Sequence, residues 1–120
     1  MPDEFISLFS QSLPLLEILN LSGNQLKTLP HSFQQFTQLK SLDCSENNLV
    51  KISSAISKLT NLTTLILSKN RLSHFPKIQK LPGLEYLDIS NNPSITKIGS
   101  DDIFMPKGKV GNFNEISVVT

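Results

Sequence analysis

Few residues in this chain could carry out chemistry: one cysteine, two histidines and ten carboxylates among 120 residues. A Cys–His nucleophilic pair needs both groups converging on one pocket. Cys44 falls at an apolar position, while His31 and His74 fall in loop positions of different segments, so no such pair forms. The same three residues lie at no metal-ligand spacing. There is no phosphate loop, no G-x-G-x-x-G and no nucleophile elbow. The carboxylates leave one arrangement to weigh, Asp43 with Asp88, since two acids flanking a sugar linkage can hydrolyse it.

Whether those acids can meet depends on the elements that hold them. The stretch Leu62 to Leu72, LTTLILSKNRL, reads L-x-x-L-x-L-x-x-N-x-L. The phrase also starts at Leu16 (LEILNLSGNQL), at Leu39 (LKSLDCSENNL) and at Leu84 (LEYLDISNNP, intact to the Asn). The steps are 23 (16 to 39), 23 (39 to 62) and 22 (62 to 84). A fixed period of this length marks a repeat architecture. The L-x-L core reads as a short strand with alternating faces. Leu19 with Leu21, Leu42 with Cys44, Leu65 with Leu67 and Leu87 with Ile89 point inward. Asn20, Asp43, Ile66 and Asp88 point outward. The Asn at the ninth position (Asn24, Asn47, Asn70, Asn92) sits where the chain turns. Its amide both donates and accepts, so a stack of them is expected to bridge neighbouring coils. Asp43 and Asp88 are then two strands apart, about 10 Å. That is at or beyond the inverting-glycosidase range, on an open face that does not exclude water. No catalytic, cofactor-binding or metal residue is assigned, no cofactor is expected, and the chain is not expected to be an enzyme.

The second half of each unit spaces apolar residues by three or four: Leu29, Phe33, Phe36; Ile52, Ile56, Leu59; Phe75, Ile78, Leu81. This predicts a short helix or 3₁₀ turn on the outer side. Pro30 and Pro76 favour extended or turn backbone before it.

The chain resembles intracellular leucine-rich repeat proteins of the 22- to 23-residue kind, as in Ras-pathway scaffold and phosphatase-regulator repeats. Thr28-Leu29-Pro30-His31-Ser32-Phe33 carries the scaffold motif best, whereas the second repeat has Ser53 in place of the Pro. The resemblance implies an α/β solenoid, right-handed, with four to five parallel strands on a concave face and short helical or 3₁₀ convex segments. It also implies a concave face that binds another protein. Such repeats also occur within larger signalling chains beside kinase, GTPase or phosphatase domains.

Residues 1–15 read as a partial repeat covering the first strand, with Phe5, Leu8, Phe9 and Leu13 at helical spacing. Leu13 is expected in the last apolar slot of that unit. Residues 16–98 hold repeats 1–4, with Ile95 and Ile98 in later slots. Residues 99–112 (GSDDIFMPKGKVGN) read as irregular loop. Residues 113–120 read as the start of a fifth repeat, with Phe113, Ile116 and Val118 inward. A solenoid seldom stops within a repeat on a bare strand edge, so a longer parent chain is expected.

Composition sets the remaining bounds. The chain is 38% hydrophobic and 18% charged, with net charge +1, an ordinary soluble balance. A lone cysteine points to a reducing compartment. No apolar run reaches membrane-spanning length, and MPDEFISLFS lacks a basic signal region. A cytoplasmic protein with no membrane partner is expected. The tripeptides Asn20-Leu21-Ser22 and Asn61-Leu62-Thr63 match a glycosylation pattern that arises readily by chance.

The outward strand positions form columns. One holds Glu17, Lys40, Thr63 and Glu85. The next holds Ile18, Ser41, Thr64 and Tyr86. A third holds Asn20, Asp43, Ile66 and Asp88. A fourth holds Gly23, Glu46, Lys69 and Asn91. Five acids against two bases make this face acidic in a chain of charge +1. Nucleic acid needs a basic footprint, so it is excluded as a partner. A protein with a basic or mixed contact patch fits. Tyr86, Asp88, Ile66, Asp43, Glu46, Lys69, Ile18 and Thr64 are the candidate partner-binding residues, with Tyr86 and Ile66 as apolar centres.

Overall fold

The structure, a computed structural model, describes residue 13 and residues 15–52, 54–73, 81–95, 97–99, 110–112 and 117–119. Each L-x-L segment forms a three-residue strand: β1 (Ile18–Asn20), β2 (Ser41–Asp43), β3 (Thr64–Ile66) and β4 (Tyr86–Asp88). These pair in parallel in sequence order. Two further pairs of strands follow from β5 (Lys97–Gly99), β6 (Val110–Asn112) and β7 (Ser117–Val119). β6 joins the main sheet beside β4, and β5 pairs with β7 in a separate two-stranded parallel sheet.

The register runs Ile18–Ser41–Thr64–Tyr86–Val110. Its steps are 23 (18 to 41), 23 (41 to 64), 22 (64 to 86) and 24 (86 to 110). Parallel strands need a crossover long enough to return to the same edge. Here the steps between paired strands are nearly equal, so one length of return sets the period.

That constraint corrects the reading of the C-terminal residues. The fifth strand of the sheet is Val110–Asn112, inside the segment expected to be loop. Placing it at Phe113–Val118 requires a 29-residue coil (84 to 113), whereas the sheet keeps nearly the period of its other coils. Val110 lies between two glycines, so apolar spacing did not mark it. Val118 sits in β7 against Ile98, not in the main sheet. Phe113 and Ile116 lie outside the described residues, as do Phe5, Leu8 and Phe9.

The core is a stack of apolar layers. Leu42, Cys44, Leu65, Leu67, Leu87 and Ile89 are fully buried, as the alternation requires. Burying one such leucine contributes about 1.5–3 kcal/mol. On the convex side, 3₁₀ turns span His31–Gln35 and Ser54–Lys58. Pro30 is extended (φ −68°, ψ 160°), and its carbonyl accepts the Phe33 amide at 3.0 Å. The turn thereby drives Phe33 and Phe36 inward, where their rings meet edge to face at 5.3 Å. Ile56, Leu59 and Ile95 are likewise buried. The convex segment holding Phe75, Pro76 and Ile78 lies outside the described residues.

Leu13 departs from expectation. It is 46% exposed, whereas Phe36 in the matching slot is 0% exposed. Leu13 belongs to the outermost described coil, where β1 itself only half buries Leu19.

Three of the four Asn positions, Asn47, Asn70 and Asn92, bridge coils as the sequence implied. Asn47 donates to the carbonyls of Leu21 in the coil before and Cys44 in its own, both at 3.0 Å, and accepts the Leu26 amide. Asn70 and Asn92 repeat the pattern one coil further on. Each side chain satisfies backbone groups that burial would otherwise leave without a partner.

Candidate partner-binding face

Parallel pairing in a constant register turns sequence columns into rows across the sheet. Ile18, Ser41, Thr64 and Tyr86 form one row, and Asn20, Asp43, Ile66 and Asp88 the other. All eight side chains leave the sheet opposite to the half-buried Leu19 and the buried Leu42, Leu65 and Leu87. Thr64, Ile66, Tyr86, Asp43 and Asp88 are half-buried, whereas Ile18 is 72% exposed.

The structure joins some candidates and separates one. Ile66 lies between Asp43 and Asp88 in its row. Tyr86 is the direct neighbour of Thr64 and the diagonal neighbour of Ile66. Ile18 is two strands from Thr64 and three from Tyr86, so it stands apart from the Ile66–Tyr86 pair.

Charge on this face is arranged in three bands. On one flank Lys40 pairs with Glu17 at 2.9 Å, across adjacent coils. On the other flank Lys69 approaches Glu46 at 3.7 Å. All four side chains are more than half exposed, so each pair adds little stability. Their consequence is positional. Among the described residues both bases of the face, Lys40 and Lys69, are held by flanking acids, and the central Asp43 and Asp88 lie between the two bands.

Asp43 and Asp88 have a structural duty that sequence reasoning missed. Asp43 Oδ1 accepts the Ser45 amide at 2.9 Å. Asp88 Oδ1 accepts the Ser90 amide at 3.0 Å and its hydroxyl at 2.7 Å. Asn20 accepts the Ser22 amide in the same way. Asn and Asp close such local turns readily. The Asp/Asn-x-Ser pattern in repeats one, two and four was the available signal, and Ile66 breaks it.

The fourth column was also read incompletely. Gly23, Glu46, Lys69 and Asn91 have φ of 70°, 56°, 57° and 57°, the left-handed region. Such backbone suits Gly and Asn and costs other residues about 1–2 kcal/mol. Gly23 and Asn91 were the clue. Glu46 and Lys69 hold this conformation because their amides donate to Ser68 and Ser90 carbonyls at 3.0 Å.

Chemistry elsewhere is sparse. Cys44 is buried, and burial, with Asp43 adding to it, pushes its thiol far above the ordinary value. A protonated thiol is a poor nucleophile. His31 is exposed on the first 3₁₀ turn, and His74 lies outside the described residues. Among the described residues no group of three His, Cys, Asp or Glu could hold a metal ion. Among them, too, no helix is long and apolar enough to cross a membrane.

Comparison with known proteins places this geometry among repeats. A leucine-rich repeat family model matches residues 37–93, and a two-copy model of the same repeat matches residues 14–59. An adenylate cyclase of Schizosaccharomyces pombe is 44% identical over 79 residues, covering 64% of this chain and 5% of the cyclase. An uncharacterized leucine-rich repeat-containing protein of the same yeast is 36% identical over 104 residues, 86% of this chain and 16% of that protein. A PHLPP-like protein phosphatase of Drosophila melanogaster is 42% identical over 81 residues, 66% of this chain and 8% of the phosphatase. Among solved structures, a leucine-rich repeat protein of Leptospira interrogans superposes with a TM-score of 0.67 at 35% identity, covering 78% of this chain and 23% of that one. The leucine-rich repeat domain of APL1B gives 0.69 at 30% identity, covering 82% and 29%. The chain thus spans a small part of each of these relatives.

Proposed function

Through residues 14–93 this chain belongs to the leucine-rich repeat family, and from that premise we propose that it is a non-catalytic module binding a partner protein through its concave strand face. The observation that carries this reading is the pairing of charges. Lys40 and Lys69 are held by flanking acids, and half-buried Ile66 and Tyr86 lie between those bands beside Asp43 and Asp88. Apolar groups ringed by polar ones suit a contact centre. The acidic balance favours a basic or mixed patch on the partner and disfavours nucleic acid and anionic membrane. Thr64 and the Glu46–Lys69 pair complete the contact surface, and Ile18 lies at its margin. A cytoplasmic location belongs to this proposal, supported by a single, buried cysteine.

A second reading has specific support. The adenylate cyclase and phosphatase relatives are far longer than the stretch they share with this chain. The repeats would then be a regulatory or targeting segment beside a catalytic domain. Both readings use the same face.

The test is a photo-crosslinking amino acid placed at Thr64, with Lys58 on the convex 3₁₀ turn as the comparison site. Adducts to a protein from position 64 and none from position 58 are expected. Adducts from position 58 alone would move the interface to the convex side.

A further inference from the structure

The spacing of the central row selects a shape of partner. Asp43, Ile66 and Asp88 occupy one register position on three successive strands. Parallel strands lie about 4.8 Å apart, so Ile66 is about 5 Å from each acid position and the acids are about 10 Å apart. Asp43 and Asp88 each commit one carboxylate oxygen to a local turn, which fixes the carboxylate. Among the described residues the bases of the face sit in the flanking pairs, which leaves the central row to take its cation from a partner.

Three backbone shapes can lay side chains along such a row. An extended segment repeats on one side every two residues, about 6.7 Å, and then at about 13 Å, so it matches neither spacing. A polyproline helix repeats every three residues, about 9.3 Å, which spans the acids. Its intervening side chains turn away, however, and leave Ile66 uncovered. An α-helix rises about 1.5 Å per residue. Residues i and i+7 lie about 10.5 Å apart on one face, and residues i+3 and i+4 fall between them. Only this shape supplies a cation, an apolar contact and a second cation at the observed intervals. The Thr64–Tyr86 row lies about 6.8 Å away along the strands, within a helix's width of about 10 Å.

We infer that the strand face takes an amphipathic α-helix of the partner protein, lying across β2, β3 and β4, with Lys or Arg at i and i+7 on Asp43 and Asp88 and an apolar residue at i+3 or i+4 on Ile66. This rests on the reading of the strand face as the binding surface. Tyr86 packs beside the apolar residue, and the Glu17–Lys40 and Glu46–Lys69 pairs border the helix on either side.

The experiment uses the 120-residue chain and two labelled alanine-based peptides of about 18 residues. One carries Lys at i and i+7 with Leu at i+3 and i+4. The other has the same composition with the second Lys at i+5, which turns it to the far side of the helix. Fluorescence anisotropy is expected to show the first peptide binding about five-fold tighter, the upper end for the one partly exposed ion pair that the second peptide loses. Circular dichroism is expected to show that it gains helix on binding. Asp43→Asn and Asp88→Asn keep the turn acceptor, so the fold survives, and each is expected to weaken the first peptide about five-fold. Lys58→Ala is expected to leave binding unchanged. Equal affinity of the two peptides, or binding without gain of helix, overturns the inference. If position 64 still crosslinks to a protein while the first peptide fails to compete, the helix is wrong and the surface stands. If position 64 gives no adduct, the surface itself is wrong, and the helix falls with it.

Discussion

The Asn70 side-chain amide donates to the Cys44 carbonyl of the preceding coil at 3.0 Å, and its oxygen accepts the Leu49 amide at the same distance. One side chain thereby ties two coils together and closes the turn of its own. Asn70 is 4% exposed, so water cannot replace these bonds. Asn24 differs: among the described residues it bonds to carbonyls of its own coil, Leu21 and Ser22, and it is half-buried.

The first prediction compares these two positions. Asn70→Ala strands several buried backbone groups and is expected to cost about 3 kcal/mol or more. Asn24→Ala is expected to cost about 1 kcal/mol. Urea unfolding of both variants checks this, and equal losses would remove the bridging role of the buried Asn residues.

A second prediction tests the face assignment. Leu67 is fully buried and Ile66, its neighbour, half-buried. Leu67→Ala is expected to cost about 2–5 kcal/mol. Ile66→Ala is expected to cost clearly less. Thermal melts that shift equally would mean that the two strand faces are misassigned.

The left-handed backbone gives a third. Lys69 has φ 57°, where glycine carries no Cβ penalty and β-branched residues fit worst. Lys69→Gly is expected to be neutral or to stabilise by up to about 1 kcal/mol. Lys69→Val is expected to destabilise by about 1–2 kcal/mol. Loss of the exposed Glu46 pair affects both variants alike, so the difference between them reads the backbone alone. Denaturation midpoints in the reverse order would contradict the conformation.

Cys44 yields a pH dependence. The unfolded chain releases the thiol proton near the ordinary value of 9.0, and the folded chain only far above it. Above that pH the native state binds more protons than the unfolded state, so stability falls as pH rises. The slope approaches about 1.4 kcal/mol per pH unit. Below pH of about 8 the thiol contributes no slope. Urea midpoints of the wild type and of Cys44→Ala across this range check it: the alkaline decline should be steeper in the wild type.

Much of this was legible in the sequence because each repeat position has a single dominant cause. Leu65 and Leu67 are inward for reasons of alternation alone, and Asn70 bridges because a buried turn demands it. The columns followed from the period, since constant register aligns residues 23 or 22 apart. What sequence reasoning missed depends on pairs of coils or on backbone angles. Lys40 and Glu17 were counted as separate charges, and only adjacent coils bring them to 2.9 Å. Asp43 and Asp88 were read as free contact residues, although each also caps a turn. The fifth strand was missed because apolar spacing pointed to Phe113, Ile116 and Val118, while the coil length selects Val110–Asn112.

The most direct measurement of the central claim is a calorimetric titration of the protein that crosslinks at position 64 into the wild type, Tyr86→Ala and Asp88→Asn. Asn is the cleaner change at position 88, because it keeps an acceptor for the Ser90 amide, now 3.0 Å from Asp88 Oδ1. The account predicts an affinity loss of about ten-fold for Tyr86→Ala, about five-fold for Asp88→Asn, and melting temperatures that stay within a few degrees of the wild type. Unchanged affinity in both variants, with both folded, would contradict binding through the strand face.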